Sequence, residues 1–184
     1  MSGSAANLQL GIGDLYLKTY VAGSYASGFS SPGFHSEKGV VATYKQDEKK
    51  HKVGNQLGLV KIFITGEELT LEGEIEDLIA QNVARALGLA DSDITDDAIN
   101  HIKSFYVGGN TVANYFSAQF QHMFDLPGLW ARITLFKARF SGGTKLEWKP
   151  GDPTGVPVKL EAMVDDAVGV TSGKLGLIEF KYLA

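Results

Sequence analysis

The stretch Glu68–Leu89, "ELTLEGEIEDLIAQNVARALGL", changes its hydrophobic period halfway along. Glu68, Thr70, Glu72, Glu74 and Glu76 alternate with Leu69, Leu71, Gly73 and Ile75, the period of two that marks a strand with one buried face. From Leu78 the period becomes helical. Ile79, Val83, Ala86 and Leu87 share one stripe, and Gly88 follows in the position that terminates a helix. The spacing predicts a helix over 78–87 capped by Asp77. A strand with four glutamates on one face therefore passes into a helix without a linker.

Upstream, "LGLVKIFITGEELTLEGEIE" predicts a strand pair or one long bent strand, with "TGEE" as a turn. "KQDEKKHKVGNQ" before it carries charges of both signs and predicts a solvated loop over 45–56, preceded by a strand in "GVVATYK". "LQLGIGDLYLKT" (8–19) alternates as a strand, with a phase shift near Gly13 that a bulge would explain. Residues 20–36, rich in Gly, Ser and aromatics, predict a loop. Downstream, "SDITDDAINHIKSF" offers a short helix with Thr95 as its cap. The last third is β in pattern. Leu129, Ala131, Ile133 and Leu135 alternate with Trp130, Arg132, Thr134 and Phe136. Val156, Val158, Leu160 and Ala162 oppose Lys159 and Glu161, and Ile178, Phe180 and Tyr182 share a side. The pattern predicts one domain over 1–184, mainly β with α+β character: an antiparallel β-sandwich or barrel flanked by one amphipathic helix.

At 184 residues the chain is long enough for a sizeable core. It lacks cysteine, so thiolate and disulfide chemistry are excluded, which fits folding in the cytosol. Neither a signal-peptide pattern at "MSGSAANLQL" nor an apolar run near the roughly 20 residues of a membrane span is present, so no membrane partner is expected. Charge is segregated. Between Glu67 and Asp97 stand ten acids and one base, Arg85, within a formal net charge of −4. That distribution argues against a nucleic-acid binder.

Motifs for chemistry fall short of their requirements. "GVTSGKL" (169–175) has three residues between its glycines and Leu175 after the lysine, which is not a phosphate loop. "GIGDLY" (11–16) has Tyr16 in place of the third dinucleotide-binding glycine. "DSDITDD" (91–97) lacks the central glycine and closing glutamate of a calcium loop. His35, His51, His101 and His122 have no metal-ligand spacing, and "GSYASG" (23–28) is not a nucleophile elbow. No catalytic, cofactor or metal residue is expected. The glutamate row keeps three readings: a solvated sheet face, a functional acidic wall, or a carbohydrate-hydrolase pair, whose same-face members would stand about 7 Å apart.

The order of features resembles a known family. "LQLGIGDLYLK" follows a short N-terminal arm (1–7), "LTLEGEIEDLIAQNVARALGL" joins strand to helix, and "ARITLFKARFSGGTKLEWKPGDPTGVPVKLEAMVDD" precedes "GLIEFKYL". Together these are similar to the major tail protein, or tail tube protein, of long-tailed bacteriophages. The likeness spans most of the chain, and the segment 90–127, with "FYVGGNTVANYFSAQFQHMF", is not matched to the family's common core. The resemblance implies a non-enzymatic virion protein assembled in the host cytoplasm. It implies hexameric rings stacked into a hollow tube through which DNA passes without specific binding, with tape-measure and tail terminator proteins as further partners. It also implies that Glu68, Glu72 and Glu74 line the lumen. Ring stacking is expected of the arm 1–7 and of the loop carrying Lys45, Asp47, Glu48, Lys49, Lys50 and Lys52. The alternative from the residues alone is a β-barrel that binds a small apolar ligand with Phe105, Tyr106, Tyr115, Phe116 and Phe120.

Overall fold

The alternation in "LTLEGEI" ends one long strand, β3 (Leu59–Ile75), the second of the two arrangements expected there. It pairs antiparallel with β2 (Val41–Lys52) along one edge, from Val41↔Glu72 to Lys52↔Leu59. The "TGEE" stretch therefore lies inside a strand and turns nothing. In this computed structural model residues 13–33, 39–52, 59–109, 113–124, 128–146 and 155–182 are described. The N-terminal arm 1–7 and the bulge expected near Gly13 lie outside them or at their border.

The remaining elements are β1 (Gly13–Thr19), α1 (Ala80–Ala86), β4 (Thr95–Asp97), β5 (Ile102–Ser104), β6 (Phe116–Met123), β7 (Trp130–Phe140), β8 (Val156–Met163) and β9 (Gly176–Lys181). Seven strands form one antiparallel sheet in the order β1-β6-β7-β8-β3-β2, and β9 also pairs β7. Among the described residues the fold is mainly β with a single α-helix, the flanking helix that the periodicity predicts.

One edge of β7 serves two partners. Its first half, Trp130 to Leu135, pairs β9, and its second half, Lys137 to Phe140, pairs β8. A bulge makes this division. Phe116 faces Ala138 and Ala118 faces Leu135, so Phe136 and Lys137 together oppose Ser117. The extra residue inverts the phase of β7, which is why Leu135 and Ala138 are both fully buried. The Ser117 hydroxyl, also fully buried, donates to the Phe136 carbonyl at 2.6 Å. Strict alternation along β7, the sequence expectation, holds only up to Leu135.

Both wings of the sheet contribute to one core. Leu15 and Leu17 of β1, with Phe116 and Ala118, meet Leu71 and Ile75 of β3 and Val156, Val158 and Leu160 of β8. Val83 and Ala86 of α1 complete it, so the helix lies on the apolar side of β3, opposite the glutamates. The helix is shorter than expected and Asp77 does not cap it through its side chain. Instead Asn82, buried in the helix, donates Nδ2 to the carbonyls of Pro32 (2.7 Å) and Asp77 (2.9 Å). Gly88 ends the helix at φ 79°, where a residue with Cβ would be strained.

The helix expected after Thr95 does not form. Asp97 accepts hydrogen bonds from the backbone N–H groups of Ile99 and Asn100, both at 3.1 Å. Those donors are thereby diverted from a helical ladder, and the chain closes as the β4–β5 hairpin, with His101 at φ 56°.

Candidate functional site

The charged segment predicted as a loop is a strand over 45–52. Residues 53–56 lie outside the described ones. Lys45, Asp47, Glu48, Lys49 and Lys50 stand on β2, each opposite a residue of β3, and Lys52 pairs with Leu59. The reason is the partner strand. "VKIFIT" has strong β propensity, and pairing with it holds a polar stretch that would not form a strand alone.

β3 meets β8 only from Thr70 onward, whereas Leu59 to Leu69 pair β2. The outer hairpin is therefore a two-stranded arm, roughly 30 Å long at about 3.3 Å per residue. A bulge between Asp47 and Glu48 shifts its phase. Beyond it Ile62 and Ile64 take the face that Leu69 and Leu71 hold nearer the body, next to Tyr44. Phe63 lies on the other face, under the ammonium of Lys61 at 4.8 Å from the ring centroid. Tyr44, Ile62, Phe63 and Ile64 are 53%, 49%, 44% and 58% exposed. Two-stranded ribbons of this kind are marginal in water when nothing packs on them.

The acid row lies as predicted, on the face opposite Leu69, Leu71 and Ile75, but it is no bare acidic wall. Lys159 on β8 pairs with Glu72 at 2.7 Å, and Lys45 on β2 stands 3.6 Å from Glu68. Arg139 pairs with Glu161 at 3.1 Å on the same face. The hydrogen bond it donates to Glu72, then that carboxylate's charge, holds Lys159 above the usual lysine range. Glu74 extends over Gly155, where a Cβ would come within 2.1 Å of its Oε1. The row is a mixed lattice in which cations from β2, β7 and β8 alternate with the glutamates. Sequence periodicity along β3 shows the acids, but the lysines come from strands whose register no local pattern discloses.

A buried carboxylate emerges that no pattern along the chain singles out. Asp165 is 2% exposed. Its Oδ1 accepts from the hydroxyls of Tyr20 (2.9 Å) and Tyr25 and from the N–H of Ala167 (3.2 Å). Burial pushes its pKa up, but Thr171, Tyr25 and Tyr20 pull it down further, and it lies below the ordinary carboxylate range. Burial, then the hydrogen bond to Asp165, raises both tyrosines, so their hydroxyls stay protonated donors. This cluster ties the loop after β1 to the loop before β9.

The five aromatics proposed to line a ligand cavity do not converge. Tyr115 and Phe116 border a cleft of about 230 Å³ with Tyr20, Asp91 and Asn114. Phe105 and Phe120 pack against the core, and Tyr106 is 92% exposed. Among the described residues no three His, Asp or Glu side chains form a metal-binding group, and no helix is long and apolar enough to cross a membrane. No protein-family model matches the chain, and no curated protein matches it in sequence.

Proposed function

We propose that this chain is a structural subunit that assembles with copies of itself into hexameric rings, stacked as a hollow tube of the kind built by the tail tube proteins it resembles. In that role it is a non-enzymatic virion component, DNA passes through the lumen, and tape-measure and tail terminator proteins meet the ends of the tube. The observation that carries this proposal is the β2–β3 arm, with Tyr44, Ile62, Phe63 and Ile64 left in solvent on a ribbon whose outer half pairs no other described strand. Ile178 and Phe180 on β9, with Tyr182 just after it, add a second uncovered apolar surface. A surface that fits a different surface of a neighbouring copy makes a heterologous contact, which closes into a ring when the rotation permits. Covering them also removes the aggregation hazard of open strand edges.

The acid row supports a lumenal role for Glu68, Glu72 and Glu74 through its pairing. DNA carries one charge per roughly 1.7 Å of axis and adheres to free lysines by releasing counterions. Lysines already held by glutamates make poor phosphate ligands, so a paired lattice lets DNA slide. Screening over about 8 Å at physiological salt confines any repulsion to close approach.

Removing the arm tests the proposal. Replacing residues 48–64 by a two-residue Asn-Gly turn should leave a folded protomer that stays monomeric, while the full chain grows into large particles by light scattering. Equal assembly of the two proteins would refute the arm's role. A full chain that stays monomeric at every concentration would refute self-assembly itself.

A further inference from the structure

We infer that the outer part of the paired β2–β3 strands of one copy, around Lys49, Lys50, Lys61 and Ile62, docks on the β4–β5 hairpin of the next copy. This rests on the self-assembly proposed above and names its receiving surface.

Each ribbon presents apolar side chains beside an excess of one charge, positive on the arm and negative at the hairpin. On the arm beyond its bulge, Lys49, Lys50 and Lys61 face one acid, Glu48, which Lys50 meets only at 3.9 Å. On the hairpin side, Asp91, Asp93, Asp96 and Asp97 face one base, Lys103. Arg85 holds Asp91 from the helix and Lys103 lies 3.5 Å from Asp96. Asp93 and Asp97 are held by neutral donors, the N–H of Ala90 in the first case and Asn100 with Ile99 in the second. Their charge is therefore available to a partner.

The apolar parts match as well. Ile99, Ile102, Tyr106 and Val107 are 90%, 55%, 92% and 70% exposed, an expanse that a short hairpin does not need for its own stability. β4 and β5 pair only each other among the described strands, as the arm's outer half pairs only itself. The rival apolar surface on β9 fits the arm less well. Its Glu179 is taken by Arg132 at 2.8 Å, and Lys181 beside it repels the lysines of the arm. Burial of the isoleucines and aromatics supplies affinity, and the opposed charges set register and suppress wrong pairings.

Charge reversal in both directions tests the contact. One variant carries Lys49→Glu and Lys50→Glu. The other carries Asp93→Lys and Asp96→Lys, which spares the turn-forming Asp97. Each alone should require about tenfold or more protein to assemble, because like charges meet. Mixed in equal amounts they should assemble near the wild-type concentration, since each variant's arm then fits the other's hairpin. Monomer melting and circular dichroism check the fold of each, and Tyr106→Ser, at a fully solvated position, should weaken assembly without touching the protomer. Wild-type assembly by both reversed variants, or two weak variants that mixing does not rescue, would overturn the inference and leave self-assembly standing. A wild-type chain that never assembles would instead remove the premise.

Discussion

Asp165 shows how a single buried side chain holds segments far apart in the chain. Tyr20 and Tyr25 reach it from the loop after β1, and Lys137, beside them, lies over the rings of Tyr20 and Tyr115 while pairing with Asp166. Asp165→Asn keeps the shape but removes the charge that both hydroxyls donate to, and should cost about 2 kcal/mol at pH 7. The sign with pH follows from the depressed folded pKa. Its contribution is fully present above the unfolded value near 3.9 and is lost as pH falls through the lower folded value. Denaturant unfolding of wild type and variant should therefore differ at neutral pH and converge progressively below about pH 4. A difference independent of pH would contradict the assignment. None of this was legible in the sequence, where Asp165 is one acid in "VDDAV" and its donors lie some 140 residues away. Period and propensity report which face a residue takes, never which distant hydroxyl will find it.

At the scale of elements, most strands were legible and their irregularities were not. Val156, Val158 and Leu160 alternate into the core as expected, and Gly88 stops α1 where it should. The bulge in β7 and the phase shift in the arm escaped because each depends on the opposing strand: Ser117 in one case, the Asp47/Glu48 step in the other. The β4–β5 hairpin escaped for a local reason, since Asp97 serves a turn with the same chemistry by which it would serve a helix start. Gly176, at the head of β9, is a further case of close approach. A Cβ there would lie 2.5 Å from the Thr134 carbonyl oxygen and 3.1 Å from Leu69 Cδ2. Backbone cannot yield as a side-chain tip can, so Gly176→Ala should push β9 off β7 at about 1–3 kcal/mol. Thermal unfolding gives the loss, and amide exchange should localise it to β9. A variant as stable and as protected as the parent would show that β9 is not seated as described.

For the whole molecule, sequence and structure bear on different halves of the account. The antiparallel architecture, the flanking helix and the placing of Glu68, Glu72 and Glu74 on one face followed from periodicity alone. The neutralising lattice around those acids and the exposed arm did not, because both are properties of strands brought together. What remains outside any single protomer is the fate of its uncovered surfaces: the arm, the β4–β5 hairpin and the face of β9. Copies of the same chain would cover all three at once, and covering them is the central claim. Electron microscopy of the purified full-length chain at rising concentration tests it most directly. Annuli of six subunits that stack into tubes, with Glu72 and Glu74 toward the axis, are the result this account predicts. A field of single protomers at every concentration, with no annulus or tube, would contradict it.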